Sequence, residues 1–407
     1  MTQDIEARAF ASFDRLAGGM RRLGVAVSGG GDSMALLELA RRYGAARNVE
    51  ILVATVDHNL RTTAKDEIKL VEDYCDKHNL DWSYLVWGDW QGTGNLQSEA
   101  RNARRDLLAE WSTMNALSAV MLGHSSDDLA ETFVMRLARG SGVDGLSAMA
   151  KRFEHRNEIF LRPLLGLSRE ELRTFLRSEN IEWAEDPSNE ELRFDRIKVR
   201  KSWDALEQLG LSKDRIIETA HIMKRARNAL EIFTNQSASK VTTAHPLGYV
   251  EIDLPQFAAL PSEVQFRLLA RNLDWVVSTN YKPRSSAMTQ FIAALLRRKS
   301  ATVHGTIALI DKDTAFICRE PNAVDHNCAN GIWDRRWLVV GDAQPFTDEM
   351  INQLEDWREF APKRDILKSL PCLLDKEGQP IEPDLQGKWG QSCNLIRSVD
   401  MFLSDSA

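Results

Sequence analysis

The chain has 407 residues, 43% of them hydrophobic and 27% charged, with a formal net charge of −7. That length exceeds one ordinary core and predicts two or three domains, while the composition is that of a soluble globular protein. The acidic balance excludes a general affinity for nucleic acid, so any RNA contact must use local basic patches. No apolar run approaches the ~20 residues that span a bilayer, and Met1-Thr2-Gln3-Asp4-Ile5-Glu6 lacks the basic and apolar regions of a secretory signal.

The first predicted element is a short apolar strand, Val25-Ala26-Val27. Ser28-Gly29-Gly30-Gly31-Asp32-Ser33 follows, then the apolar-periodic Met34-Ala35-Leu36-Leu37-Glu38-Leu39-Ala40. The order predicted is strand, Gly-rich turn, helix. Glycines let backbone approach an anion, and the unpaired N–H groups of a helix start point at it. The turn is therefore expected to hold phosphate. It has neither the Lys of a Walker loop nor the spacing of the dinucleotide fingerprint. The Ser28 and Ser33 hydroxyls can donate to phosphate oxygens, and Asp32 can hold a Mg2+ that neutralises them. The bland alternative is a turn with Asp32 as a plain helix cap.

Strands are predicted next over 49–56, within 81–87, over 118–122 and over 159–165, with helices at about 62–79, 96–115 and 126–138. Near-continuous apolar strands alternating with helices predict an α/β fold with a parallel, doubly wound sheet. Ligands of such sheets lie beyond the carboxyl ends of the strands. Three polar motifs stand there: Ser28–Ser33, Asp57-His58-Asn59-Leu60-Arg61, and Gly123-His124-Ser125-Ser126-Asp127-Asp128.

Within the last motif and the helix after it, His124, Asp127, Asp128 and Glu131 form a candidate site. Mg2+ takes carboxylate oxygens together with phosphate, although acids in a first helical turn also serve as caps. Arg136 and Arg139 close that helix, and Arg139-Gly140-Ser141-Gly142 can wrap a phosphate or a flipped base. Arg101, Arg104 and Arg105 project from one amphipathic helix, where guanidinium groups suit phosphate and RNA and a solvated face is the alternative. Arg162-Pro163-Leu164-Leu165 follows a strand. Glu185-Asp186-Pro187-Ser188-Asn189 forms a turn, and Arg193, Arg196, Lys198, Arg200 and Lys201 offer a patch for an RNA backbone or a solvated linker.

Beyond residue 200 the pattern changes. Helices are predicted over 212–234, 261–277 and 284–298, giving a mainly helical second domain at 201–320. Short strand-like runs at 337–340 and 370–374 predict a small α+β domain over 325–407. The five cysteines are scattered and contain no CxxC, so no zinc or iron–sulfur site is indicated and a reducing cytoplasm fits best.

Taken in order, SGGxDS, DHxLR, ARxxR, GHxxDDxxET, RGSGxxGL, RPLL, EDPSN and RxxxR resemble the tRNA(Ile)-lysidine synthase family of PP-loop ATP-pyrophosphatases. Here they stand at Ser28–Ser33, Asp57–Arg61, Ala100–Arg104, Gly123–Thr132, Arg139–Leu146, Arg162–Leu165, Glu185–Asn189 and Arg196–Arg200. Arg105 and Ile197 occupy positions where an aromatic residue and Asn are common. The resemblance implies an adenine nucleotide alpha hydrolase-like catalytic domain over 1–200, followed by a tRNA-binding helical domain and the α+β tail. It implies adenylation, by ATP, of C2 of the wobble cytidine in the CAU-anticodon isoleucine tRNA, then attack by free L-lysine to give lysidine, AMP and pyrophosphate.

For the site, the resemblance implies Asp32, Arg104, His124, Asp128, Glu131 and Arg139 as catalytic. It implies Ser28, Gly29, Gly30, Gly31, Asp32, Ser33, Asp57 and His58 as nucleotide-binding, and Asp32 as the Mg2+ ligand. Arg101, Arg136, Arg196 and Arg200 would face the tRNA. The sequence leaves a homodimer open. It also leaves open another PP-loop tRNA-modifying enzyme, such as a thiolase, an AMP-forming amide ligase, or an RNA-binding module without turnover.

Overall fold

A computed structural model describes residues 2–57, 64–88, 96–185, 195–278 and 283–397, except 342, 355, 376, 377, 382 and 384–392. His58–Arg61, Asp186–Asn189 and Arg193 lie outside the described residues. The chain forms two compact units, Met1–Arg227 and Asn228–Ala407.

The first unit runs α1 (Thr2–Ala17), β1 (Arg22–Ala26), α2 (Gly31–Arg47), β2 (Glu50–Asp57), α3 (Ala64–His78), β3 (Asp81–Val86), α4 (Leu96–Met114), β4 (Ala119–Leu122), α5 (Ser126–Ala138), α6 (Val143–Leu146), β5 (Arg152–His155), β6 (Glu158–Leu161), α7 (Arg169–Ser178), α8 (Asp195–Lys201), α9 (Trp203–Gln208) and the start of α10 (Lys213–Val241). The strands pair in the order β3-β2-β1-β4-β6-β5. All pairs are parallel except β5 with β6.

The apolar strands serve two cores at once, because successive side chains point to opposite faces. Leu23, Val25, Ile51, Val53, Ala119 and Met121 pack on one face against residues of α1, α2 and α7. Ala26, Leu52, Ala54, Val120 and Leu122 pack on the other against Leu108 and Trp111 of α4. The sheet thus carries helices on both faces, as its sequence predicts.

After β1 the chain builds β2 and β3 on one side and then crosses to place β4 on the other. The carboxyl ends of β1 and β4 therefore flank the point where the strand order reverses, which is where open α/β sheets bind ligands.

The pattern change at residue 200 does not coincide with the end of the first unit at Arg227. Trp203, Ile216 and Ala220 fill a small core with Leu129, Ala130 and Phe133 of α5. This packing carries α8, α9 and the first turns of α10 with the sheet domain, and period alone does not report it.

The second unit continues through β7 (Thr242–Ala244), β8 (Val250–Asp253), α11 (Leu254–Ala258), α12 (Ser262–Val277), α13 (Ser285–Leu296), β9 (Ala301–Val303), β10 (Thr306–Asp311), β11 (Thr314–Arg319), β12 (Ile332–Trp333), β13 (Trp337–Val339), β14 (Ala343–Pro345), α14 (Asp348–Gln353), α15 (Arg364–Lys368), β15 (Pro371–Leu373) and β16 (Cys393–Leu395). The predicted helices are present, and so is an antiparallel sheet, β7-β8-β11-β10-β9, which the periodicity does not show.

Alternation along β11 divides the unit's interior. Ala315 and Ile317 pack with residues of α12 and α13, such as Leu269 and Phe291. Phe316 and Cys318 pack with Trp333, Trp337 and Ile366. The residues beyond 325 thus share a core with β11. Among the described residues, no helix is long and apolar enough to cross a membrane.

Candidate active site at the reversal of strand order

The Gly-rich turn leaves β1 and enters α2 with Gly30 at the cap position. Gly30 has no side chain to cap the helix; the Ser33 and Met34 N–H groups turn back to the Gly30 carbonyl at 3.0 Å, and no side chain competes with an anion for the helix start ahead of them. The turn is held by its own serines. The Ser28 N–H donates to Ser33 Oγ at 3.1 Å, and the Ser33 hydroxyl donates to the Gly30 carbonyl at 2.8 Å. Gly29 has φ +82° and lies against Glu67, a backbone state that favours glycine. The Ala184 N–H donates to the Gly29 carbonyl at 2.9 Å, and Trp183 covers Gly31.

The histidine–carboxylate motif leaves β4 directly beside this turn. A Cβ at Gly123 would stand 2.9 Å from the Asp32 carbonyl oxygen and 3.0 Å from the Ser33 Cα. Only glycine permits so close an approach of the two strand ends. The Ser125 hydroxyl then donates to Asp32 Oδ2 at 3.1 Å. Ser125 also caps α5, its N–H donating to Asp128 Oδ2 at 3.0 Å. One hydroxyl therefore ties the phosphate turn to the first acidic turn of α5.

Arg169, at the start of α7, spans the same carboxylates, and the motif reading did not single it out. Its Nε donates to Asp32 Oδ2 at 3.2 Å, Nη1 to Glu131 Oε1 at 3.0 Å and Nη2 to Asp128 Oδ1 at 3.3 Å. Its backbone N–H donates to Asp127 Oδ2 at 2.7 Å. The available signal was the capping box Ser168–Glu171, which fixes a helix start at this point. Arg196 and Arg200, expected to face RNA, turn onto the same acids. Arg200 Nε lies 2.7 Å from Glu131 Oε1, and Arg196 Nε lies 3.3 Å from Glu131 Oε2. The Lys213 ammonium bonds Asp127 Oδ1 at 2.6 Å.

Glu131 has no exposed side-chain surface, and three guanidinium groups, those of Arg169, Arg196 and Arg200, lie against its carboxyl oxygens. Burial raises the Asp32 pKa above the ordinary carboxylate range, with Arg169 opposing the shift and Asp128 adding to it. Burial also pushes Asp127 up, but the Arg169 N–H and Lys213 outweigh it and hold this carboxyl below the ordinary range.

His124 stands at the rim of this network. Burial lowers its pKa to about 4 against the pull of Asp128, and Arg162, Arg104 and Arg196 lower it further. Its Nδ1 is buried and has no partner among the described residues. Cations crowd this side of the site. The Arg104 pKa is lowered by burial and by Arg101. Arg162 falls to about 10 through burial and the nearby Arg105, Arg101 and Arg136. Arg162 also lies over the Phe153 ring, 4.1 Å from its centroid.

The structure therefore brings Ser28, Gly29, Gly30, Gly31, Asp32, Ser33, Asp128 and Glu131 together, with His124, Arg104 and Arg101 alongside. Asp57 ends β2, where it accepts from the Tyr84 hydroxyl at 2.6 Å. Arg136 donates to the Gly145 carbonyl at 2.8 Å. Arg139 is exposed and pairs with Asp195 at 2.7 Å, so its described contact is not with the phosphate turn. Among the described residues, no group of three or more His, Cys, Asp or Glu converges on a metal position. Asp32 is a single carboxylate beside open helix N–H groups, which fits a divalent ion arriving with phosphate oxygens of its own.

Residues 1–204 match the PP-loop domain family. A protein from Ruegeria pomeroyi named tRNA(Ile)-lysidine synthase is 42% identical over 79% of this chain and 77% of its own length. One of the same name from Wolbachia pipientis is 35% identical over 78% of this chain and 76% of its own. Among solved structures, the U34-tRNA thiolase NcsA from Methanococcus maripaludis superposes with a TM-score of 0.48 at 18% identity, covering 55% of this chain and 79% of that one.

Proposed function

The chain belongs to the tRNA(Ile)-lysidine synthase family of PP-loop proteins, and from that premise we propose how its residues carry out the reaction. The enzyme is an ATP-dependent, AMP-forming carbon–nitrogen ligase acting on the isoleucine tRNA whose anticodon is CAU. The observation that supports this reading best is the 3.1 Å hydrogen bond between Ser125 and Asp32. It joins the phosphate turn and the histidine–carboxylate motif at the carboxyl ends of β1 and β4.

In this reading the open N–H groups of α2, with the Ser28 and Ser33 hydroxyls, bind the β- and γ-phosphates. Asp32 would hold a divalent ion accompanying ATP, which would neutralise triphosphate charge. The wobble cytidine leaves its stack to enter, and its C2 oxygen attacks the α-phosphorus as pyrophosphate departs. Arg104 supplies positive charge against the charge that develops around that phosphorus. An amine of free lysine then attacks C2, and AMP leaves with the former C2 oxygen.

Asp128 and Glu131 set the lysine position, and a carboxylate there accepts the proton that the amine loses. Both are already ion-paired, so a lysine ammonium competes with Arg169 and Arg196 for them. His124 is neutral near pH 7 and offers its unpartnered Nδ1 to the base or the amino acid. The second unit, including the helical part up to residue 320, holds the body of the tRNA. The reaction takes place in the cytoplasm, where free cysteines persist.

The test is direct. The protein is incubated with the purified isoleucine tRNA, ATP and labelled lysine, and the nucleosides are analysed. Label in a modified cytidine, with AMP released in equal amount, is expected. ATP–pyrophosphate exchange that proceeds without RNA would overturn the reading in favour of a small-molecule ligase.

A further inference from the structure

A second group of cations lies on the first unit outside the carboxylate network. Two backbone hydrogen bonds and one from a side chain assemble it from distant parts of the chain. The Arg162 N–H donates to the Lys151 carbonyl at 2.7 Å, placing Lys151 beside the end of β6. The Ala148 N–H donates to the Ala220 carbonyl at 3.0 Å, bringing the same segment against α10 next to His221. The Ser12 hydroxyl donates to the Pro163 carbonyl at 2.7 Å, bringing in the end of α1 with Arg15.

Arg15, His221 and Arg225 are exposed, and Lys151 and Lys224 are half-buried. Lys151 is held below the ordinary ammonium range by burial and by Arg15 and Lys224. His221 is likewise lowered by burial and by Lys151, Lys224 and Arg225. None of these residues forms an ion pair among the described residues. Arg227, one turn further along α10, does, with Asp144 at 3.6 Å. In a chain of net charge −7, cations set side by side without counter-ions mark a place for an external polyanion.

Continuity identifies the polyanion. Lys151 is the strand neighbour of Arg162, and Arg162 belongs to the crowd of guanidinium groups around His124. The positive surface thus starts beside His124 and runs outward along α10. An acidic peptide has no reason to begin there, whereas a nucleic acid strand with one nucleotide held at the site does.

We propose that Arg15, Lys151, His221, Lys224 and Arg225 form a phosphate-binding track for the RNA backbone flanking the nucleotide held in the active site. This inference rests on the tRNA reading above and names a surface for it. The track contacts phosphates and no reacting atom, so it governs substrate capture and leaves chemistry alone.

The test is a triple variant of the full chain, Lys151→Glu, Lys224→Glu and Arg225→Glu. It is compared with a charge-matched control, Arg21→Glu, Lys69→Glu and Lys77→Glu, exposed positions of the first unit outside the site and the track. With wild type turning over the isoleucine tRNA, the track variant is expected to raise KM for tRNA about tenfold or more at 150 mM salt. Its kcat, and its KM for ATP and lysine, should stay within a factor of about two, and the salt slope of tRNA binding should fall by about two to three.

The control should behave as wild type in every measurement. An unchanged KM for tRNA, or an equal rise in the control, overturns the track and leaves the enzyme's function standing. Failure of the wild type to modify tRNA overturns the functional reading itself.

Discussion

Asp32 is the residue on which most of the site depends. It accepts from Ser125 and Arg169, and it begins the helix whose N–H groups face the expected phosphates. Replacing it with Ala should lower turnover by about a thousandfold, the scale on which preorganised charge acts, while tRNA affinity changes little because no RNA contact is removed. Filter binding beside a turnover assay separates the two, and a parallel loss of binding would contradict the assignment. His124 makes a second residue-level prediction. Its pKa of about 4 places its protonation well below the ordinary histidine range. The limb of kcat/KM that it controls should therefore lie near pH 4, with a flat profile from pH 6 to 8. His124→Gln should remove that limb, and a His124-dependent limb near 6.5 would refute the environment described.

At the scale of elements, Glu38 shows how α2 is anchored behind the phosphate turn. It is buried and bonds Arg41, Arg42 and the Tyr74 hydroxyl, while Arg42 also reaches Glu6 of α1 and Glu179 at the end of α7. Burial alone would raise its pKa, but hydrogen bonds from Arg41, Tyr74 and Arg42 hold it at about 2, against an ordinary value of 4.5. A depressed carboxylate contributes stability above the unfolded value and loses it as pH falls toward the folded one. Glu38→Ala should thus cost about 3 kcal/mol at pH 7. Urea titrations should show that deficit shrinking between pH 4.5 and 2, and a pH-independent deficit would count against the network. Glu38 itself was readable only as a helical residue, since its partners come from other elements. The strand ends were legible because Gly-rich and acidic motifs follow apolar runs directly. Arg169 was not, because all of its partners lie far away in sequence. The short strands β7 to β11 were hidden by the stronger helical periods of α12 and α13.

Across the whole molecule, the two units are stabilised in different ways. The first buries Glu38 of α2 and gathers further charges around Asp32 and Glu131, whereas the second buries the pair Arg319–Asp334 within its own core. Arg319 bonds both oxygens of Asp334, at 2.9 and 3.1 Å, and Asp334 has no exposed side-chain surface. Removing one partner strands the other charge, so Asp334→Ala should lower stability by about 3–5 kcal/mol in a urea titration. A smaller loss than Glu38→Ala would show the pair to be dispensable. The crossover that puts β4 beside β1 carries a consequence for synthesis. Ser28–Ser33 is made early, but the wall facing it is not translated until Ser125, and Arg169 comes later still. A nascent or prematurely terminated chain ending before these residues owns a nucleotide cradle with no partner across the gap. It could not activate a base or waste ATP in doing so, and competence arrives only once the ribosome has finished the far side of the crevice.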